Sequence, residues 1–172
     1  VPGIKLAAHL TQTQTFGILA THSTIYGEYL HTLIKNHARN CHVIKMASPR
    51  LVQWAEEKIR GNHVCPQKLF CEISPFFADL ETDAIVLACT HFVHLQKELQ
   101  MCSPRKVHWI DTSASIAKRV LHFIPPTETT SSHTSQKTTI EALSTSASPL
   151  SISQKKIWKN TFNISHFSVL PI

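Results

Sequence analysis

Four short apolar runs, TFGILA (15–20), CHVIKMA (41–47), DAIVLA (83–88) and KVHWID (106–111), alternate with stretches of helical periodicity, and this alternation constrains the fold more than any other feature. Strands separated by helices pair in parallel through crossovers, so both faces of the resulting sheet are covered. After the first run, Ile25, Tyr26, Tyr29, Leu30, Leu33 and Ile34 share one helical face. The second run leads into SPRLVQWAEEKIR (48–60), with Ser48 placed to cap and Pro49 in the first turn. Further helices are expected over 66–80, from Thr90 to Gln100 and from Ser113 to Phe123. The expected fold is α/β, a parallel sheet of about four strands covered by helices.

Beyond Ile124 the character changes. Residues 125–155 are dominated by Pro, Thr and Ser and read mostly as linker, whereas 157–172 regain Trp158, Phe162, Ile164, Phe167, Val169 and Leu170. The alternation in SHFSVLPI predicts a final strand. With 172 residues and 42% hydrophobic composition, the chain can bury one modest core. Neither a membrane-spanning run nor a secretory signal is readable, so a cytoplasmic location is the default expectation. Five cysteines, an odd and dispersed set, suit reduced thiols better than a disulfide framework. The formal charge is +6, yet Lys and Arg are scattered apart from Lys155, Lys156 and Lys159, which argues against a nucleic-acid partner. The chain opens on Val1, which fits an unusual start or a fragment.

Cys89 follows directly on AIVLA and precedes a predicted helix, which puts its thiol at the carboxyl edge of the sheet, where open α/β sheets bind ligands. A helix amino terminus there would favour the thiolate. Thr90 and His91 add a hydroxyl, free amides and an imidazole able to hold a carboxylate and relay a proton. The bland alternative is a cysteine serving as a small buried hydrophobe. Cys89, His91 and His94 also spell C-x-H-x-x-H, but consecutive positions do not converge as i, i+4 ligands do, and no second tight pair completes a metal site. Thr21 and Thr24 follow the first strand, where hydroxyls commonly cap a helix; Asp111 is a similar capping candidate. Glu56 and Glu57 share a helix with Lys58 and Arg60, so a solvated face accounts for at least one of them.

Taken in order, four segments resemble one family. LACTHF (87–92) resembles the glutamate racemase signature around its second cysteine. GILATHSTI (17–25), ASPRLVQWAEE (47–57) and WIDTSASIAKRV (109–120) resemble the motifs that surround it. The likeness covers residues 4–123, and weaker similarity at STSASP (144–149) and the last strand extends it to the end. The pattern departs where Ser48 replaces a cysteine, Val93 and His94 replace Pro-Leu, and Thr112 and Ser113 replace Ser-Gly. Nothing matches the upstream Asp-Ser and Cys-Asn-Thr motifs of that family.

The resemblance implies cofactor-independent racemisation of glutamate, with two cysteines on opposite faces alternating as base and acid, and D-glutamate as a product for peptidoglycan. Cys89 would be one of the pair, His91 and Glu56 would support it, and Thr90, His91, Thr21 and Thr24 would bind substrate. It implies one lobe of a two-lobe racemase over 1–112, a helix leading back to the other lobe over 113–123, a linker over 124–142 and a C-terminal return segment of the other lobe over 143–172. The partners it implies are glutamate and a separately encoded amino-terminal half, with homo-oligomers in the full-length family. A chain with one thiol face is expected to be inactive alone. An aspartate or hydantoin racemase and a non-catalytic interaction module are the rival readings.

Overall fold

The computed structural model describes residues 2–124, 139–145 and 150–170. Four strands, β1 (Thr15–Ala20), β2 (His42–Ala47), β3 (Ala84–Leu87) and β4 (His108–Ile110), form a sheet in the order β2-β1-β3-β4, with every pairing parallel. All four strands match the apolar runs of the sequence, and the expected α/β class holds.

Period-two alternation sends the side chains of β1 and β3 to two cores. Phe16, Ile18, Ala84 and Val86 pack with Ile4, Ala7 and Leu30 on one face. Leu19, Ile85 and Leu87 pack with Leu51, Leu69, Phe76, Phe92 and Leu99 on the other. The first face is covered by α1 (Pro2–Leu10) and α3 (Glu28–His37), the second by α4 (Pro49–Ile59), α5 (Pro66–Ile73) and α7 (Gln96–Cys102). Gly17 belongs in mid-strand because a Cβ there would stand 2.6 Å from the Phe76 ring. Helix α1 lies upstream of the first strand read from sequence; its signal is the i, i+3 spacing of Ile4 and Ala7, both fully buried.

Several helices differ from expectation. The segment after β1 splits into α2 (His22–Ile25) and α3 around Gly27, which resets the helical phase. Ile25 and Leu30 are buried, whereas Tyr26 and Tyr29 stand exposed. The predicted helix over 66–80 breaks at Pro75 into α5 and the single turn α6 (Pro75–Ala78). Proline has no N–H to continue the ladder, and the Ser74 hydroxyl donates to the Cys71 carbonyl at 2.9 Å instead. Ser48 caps α4 as expected, its Oγ accepting from the Leu51 N–H at 3.1 Å and donating to Glu72 at 2.6 Å. At the other end of α4, Gly61 (φ +89°) closes a Schellman motif, with Asn62 N–H bonded to the Glu57 carbonyl and Gly61 N–H to that of Lys58.

The region read as linker is not wholly linker. Ile140–Ser144 forms β5, so the expected boundary between residues 142 and 143 falls inside a strand; the remainder, 125–138 and 146–149, lies outside the described residues. Helix α9 (Ile152–Phe162) begins with a Ser151–Gln154 capping box, and β6 (Ile164–Val169) is the predicted last strand, paired parallel with β5. Helix α8 (Ser113–Phe123) forms as predicted but buries none of its side chains; Ile116, Val120, Leu121 and Phe123 are all exposed. No helix of the described residues is long and apolar enough to cross a membrane.

Candidate active site at the carboxyl edge

Cys89 stands two residues past the end of β3, partly buried against the core. The chain after it does not form the helix expected from Thr90 to Gln100. It makes a 3-10 turn over Phe92–Leu95, and only then does α7 begin. Apolar anchors at 92, 95 and 99 suit either geometry, and the tighter turn brings His91 round beside the thiol. A four-residue turn supplies no helix macrodipole, so the expected dipole activation of Cys89 is replaced by a side-chain contact.

That contact is specific. His91 Nδ1 lies 3.8 Å from Cys89 Sγ, and His91 Nε2 lies 2.8 Å from Glu56 Oε1. Thiol, imidazole and carboxylate thus follow one another, drawn from the loop after β3, the cap of the turn and α4. With Nε2–H donated to the carboxylate, Nδ1 presents its lone pair toward sulfur and can take the thiol proton. The two neighbouring glutamates share Arg60, which lies 3.9 Å from Glu56 and 3.7 Å from Glu57, but only Glu56 meets His91, while Glu57 also accepts from Asn62.

Leu19 pairs with Leu87 across β1 and β3, so Thr21 and Cys89 occupy equivalent places two residues further along adjacent strands. The Thr21 hydroxyl makes no capping bond to α2; it lies 3.0 Å from Thr24 Oγ1 and 3.2 Å from Ser23 Oγ. Three hydroxyls gather at the mouth of β1, where Thr21, His22, Ser23, Pro49, Val52 and Gln53 line an open hollow. Thr90 is exposed beside Cys89. Asp111 accepts from the Ser113 N–H at 2.8 Å and so serves the start of α8.

Burial, with the cationic fields of His91 and Lys58, holds His94 below the usual imidazole range against an opposing pull from Glu56. Burial pushes the Cys41 thiol up, with Asp83 adding to it, and also raises Cys102. Cys41 precedes the amino end of β2, at the sheet edge opposite Cys89. Among the described residues, no group of three or more His, Cys, Asp or Glu side chains is placed to hold a metal ion. Sequence reasoning missed Ser23, whose neighbours concealed it, and Lys58, which joins α4 to the turn through the His94 carbonyl.

No family model matches the sequence. Individual proteins do. The glutamate racemase of Histophilus somni strain 129Pt is 41% identical over 120 residues, covering 70% of this chain and 45% of that protein. Those of Haemophilus influenzae strain PittGG and Agrobacterium fabrum are 39% and 38% identical, over 72% and 73% of this chain and 46% and 47% of theirs. The chain spans about half the length of these curated relatives. Among solved structures, Escherichia coli glutamate racemase, in complex with L-glutamate and the activator UDP-MurNAc-Ala, matches with a TM-score of 0.81 and 28% identity, over 97% of this chain and 62% of that one. A glutamate racemase isoform from Bacillus anthracis shares the fold with a TM-score of 0.71 at 17% identity, over 99% and 62%.

Proposed function

The chain belongs with the glutamate racemases, of whose length it spans about half, and from that premise we propose that it supplies one side of a cofactor-independent racemase site acting on glutamate. The observation that carries this reading is the line from Cys89 through His91 to Glu56 at the carboxyl edge of the sheet. In the proposed reaction the Cys89 thiolate takes the α-proton of one enantiomer and becomes a thiol, and the electron pair stays on the substrate as a carbanion. An acid on the opposite face returns a proton to give the other enantiomer; in the reverse direction the roles exchange. His91 accepts the sulfur proton that must leave before Cys89 can act as base, and Glu56 stabilises the resulting imidazolium. The hydroxyls of Thr21, Thr24 and Thr90 hold the substrate carboxylates.

One sheet edge reaches one face of the α-carbon. The opposing acid belongs to the part of the relatives' length that this chain does not span, whether joined to it or supplied as a separate amino-terminal half. The exposed apolar side chains of α8, with Leu143 and Val169 of the β5–β6 pair, support such a lobe seating against α8 and that pair. The proposed setting is cytoplasmic, with D-glutamate passing to peptidoglycan synthesis.

Following the circular dichroism of D- or L-glutamate tests this. The 172-residue chain alone should leave the signal unchanged, and mixing it with an amino-terminal half from a related racemase should make it decay. Decay with the chain alone would overturn the two-sided site. No decay in either sample, with both polypeptides folded and associated, would favour a non-catalytic interaction module.

A further inference from the structure

Two cross-links tie α4 to the turn that carries the histidines. One is Glu56 to His91. The other lies two residues further along α4, where Lys58 Nζ donates to the His94 carbonyl oxygen at 2.6 Å and pairs with the Glu98 carboxylate at 2.6 Å. Between these points Phe92 and Leu95 are fully buried, and the backbone bonds at the turn's ends include Phe92 N–H to the Cys89 carbonyl and His94 N–H to that of His91, each 3.1 Å, and Gln96 N–H to that of Val93. A turn this short has little internal ladder to resist rotation.

We propose that Lys58 is a positioning residue for the thiol–imidazole pair: it clasps the turn through the His94 carbonyl and so keeps His91 Nδ1 directed at Cys89 Sγ. This rests on the racemase reading above. An ordinary lysine–glutamate pair at the surface does little. Here the ammonium spends a second donor on a backbone carbonyl three residues beyond His91, and its anchor is the same helix that holds Glu56. With both tethers, the span from His91 to His94 is fixed at each end. With Glu56 alone, buried Phe92 and Leu95 still seat the turn, but a single polar contact sets the imidazole's rotation, and the 3.8 Å approach to sulfur is no longer maintained.

The test uses the 172-residue chain and iodoacetamide, with Cys89 modification followed by peptide mass spectrometry from pH 5 to 9. His91→Asn sets the profile of a thiol without its imidazole. Lys58→Met, which keeps the apolar stem, should slow Cys89 alkylation at neutral pH by roughly tenfold to a hundredfold, the upper figure being what a misplacement of ~1 Å costs an oriented pair. Its pH profile should move toward that of His91→Asn. Lys58→Arg, which retains donors to both carbonyl and carboxylate, should restore the parent profile, and Glu98→Gln should fall between. Should Lys58→Met fail to fold, Glu98→Gln decides, and a parent-like profile there overturns the proposal. A parent-like Lys58→Met beside an altered His91→Asn overturns the clasp and leaves the proposed function standing. A parent-like His91→Asn removes the thiol–imidazole relay itself.

Discussion

Replacing Glu56 by Gln isolates the charge at the end of the thiol–imidazole–carboxylate line, because the side chain keeps its length and one acceptor oxygen. The carboxylate lies 2.8 Å from His91 Nε2, and the two side chains are 38% and 36% exposed. So much solvent contact calls for a water-like dielectric, under which unit charges 2.8 Å apart interact by about 1.5 kcal/mol, or roughly tenfold in an equilibrium. That interaction exists only when the imidazole is charged, so it favours proton transfer from sulfur to Nδ1. Glu56→Gln should therefore lower the thiolate–imidazolium population, and with it Cys89 alkylation near pH 7, by roughly tenfold. Thermal stability should change by less than about 1 kcal/mol, as for other part-exposed ion pairs. The assay is the initial rate of Cys89 alkylation, read at the peptide level beside a melting curve. Rates within about twofold of the parent, while His91→Asn differs, would show that Glu56 merely fills the surface of α4.

Two further outcomes follow from the frame around the site. Gly61→Ala should cost at least about 1 kcal/mol in urea unfolding, because φ is +89° and the new Cβ would stand 2.5 Å from the Ile157 side chain; an unchanged midpoint would refute both the left-handed closure of α4 and the seat of α9 on it. Asp83 is held below its usual range: burial would raise it, but bonds from Thr11 and from the Gln12 and Thr13 backbone outweigh that. A depressed carboxylate stabilises the fold above its unfolded value and loses that contribution as pH falls through its folded value. Asp83→Asn should thus flatten the acid limb of a stability–pH curve, and an unaltered limb would refute the assignment.

The strands were legible because each is a run of β-branched or apolar residues short enough to exclude a buried helix, and a parallel order follows from what lies between them. Helix phase was less legible. Gly27 restarts it, so Tyr26 and Tyr29, in register with Ile25 and Leu30 on paper, face solvent. The segment from Thr90 to Gln100 has the apolar spacing of a helix, and nothing local distinguishes a 3-10 turn, yet that turn sets His91 against Cys89. Cys89, His91 and Glu56 could be nominated from motif order, which also preferred Glu56 to Glu57, whereas charge pattern alone left both glutamates on a solvated face. Lys58 could not be nominated at all, since its partner is a backbone carbonyl 36 residues away. β5 was hidden because IEALS is short and borders Ser/Thr-rich chain.

Helix α8 sharpens the case for a two-sided site. An 11-residue helix with no buried side chain has little to stabilise it, since helices this short owe their persistence in water to a packed apolar face. Its face nevertheless exists in Ile116, Val120 and Phe123, with Arg119 drawn over the Phe123 ring at 4.5 Å. The β5–β6 pair is likewise only two strands, below what normally persists alone, and α9 covers it with Trp158 while Leu143 and Val169 stay exposed. Helix α8 follows directly from β4, whose carboxyl end lies on the same sheet edge as Cys89. A lobe seated on that helix would approach the thiol from the side that this sheet leaves open. Under the proposed reading, seating that lobe and completing the second face of the α-carbon are therefore one event, and hydrogen-exchange protection of α8 should rise together with racemase activity as an amino-terminal half from a related racemase is titrated in.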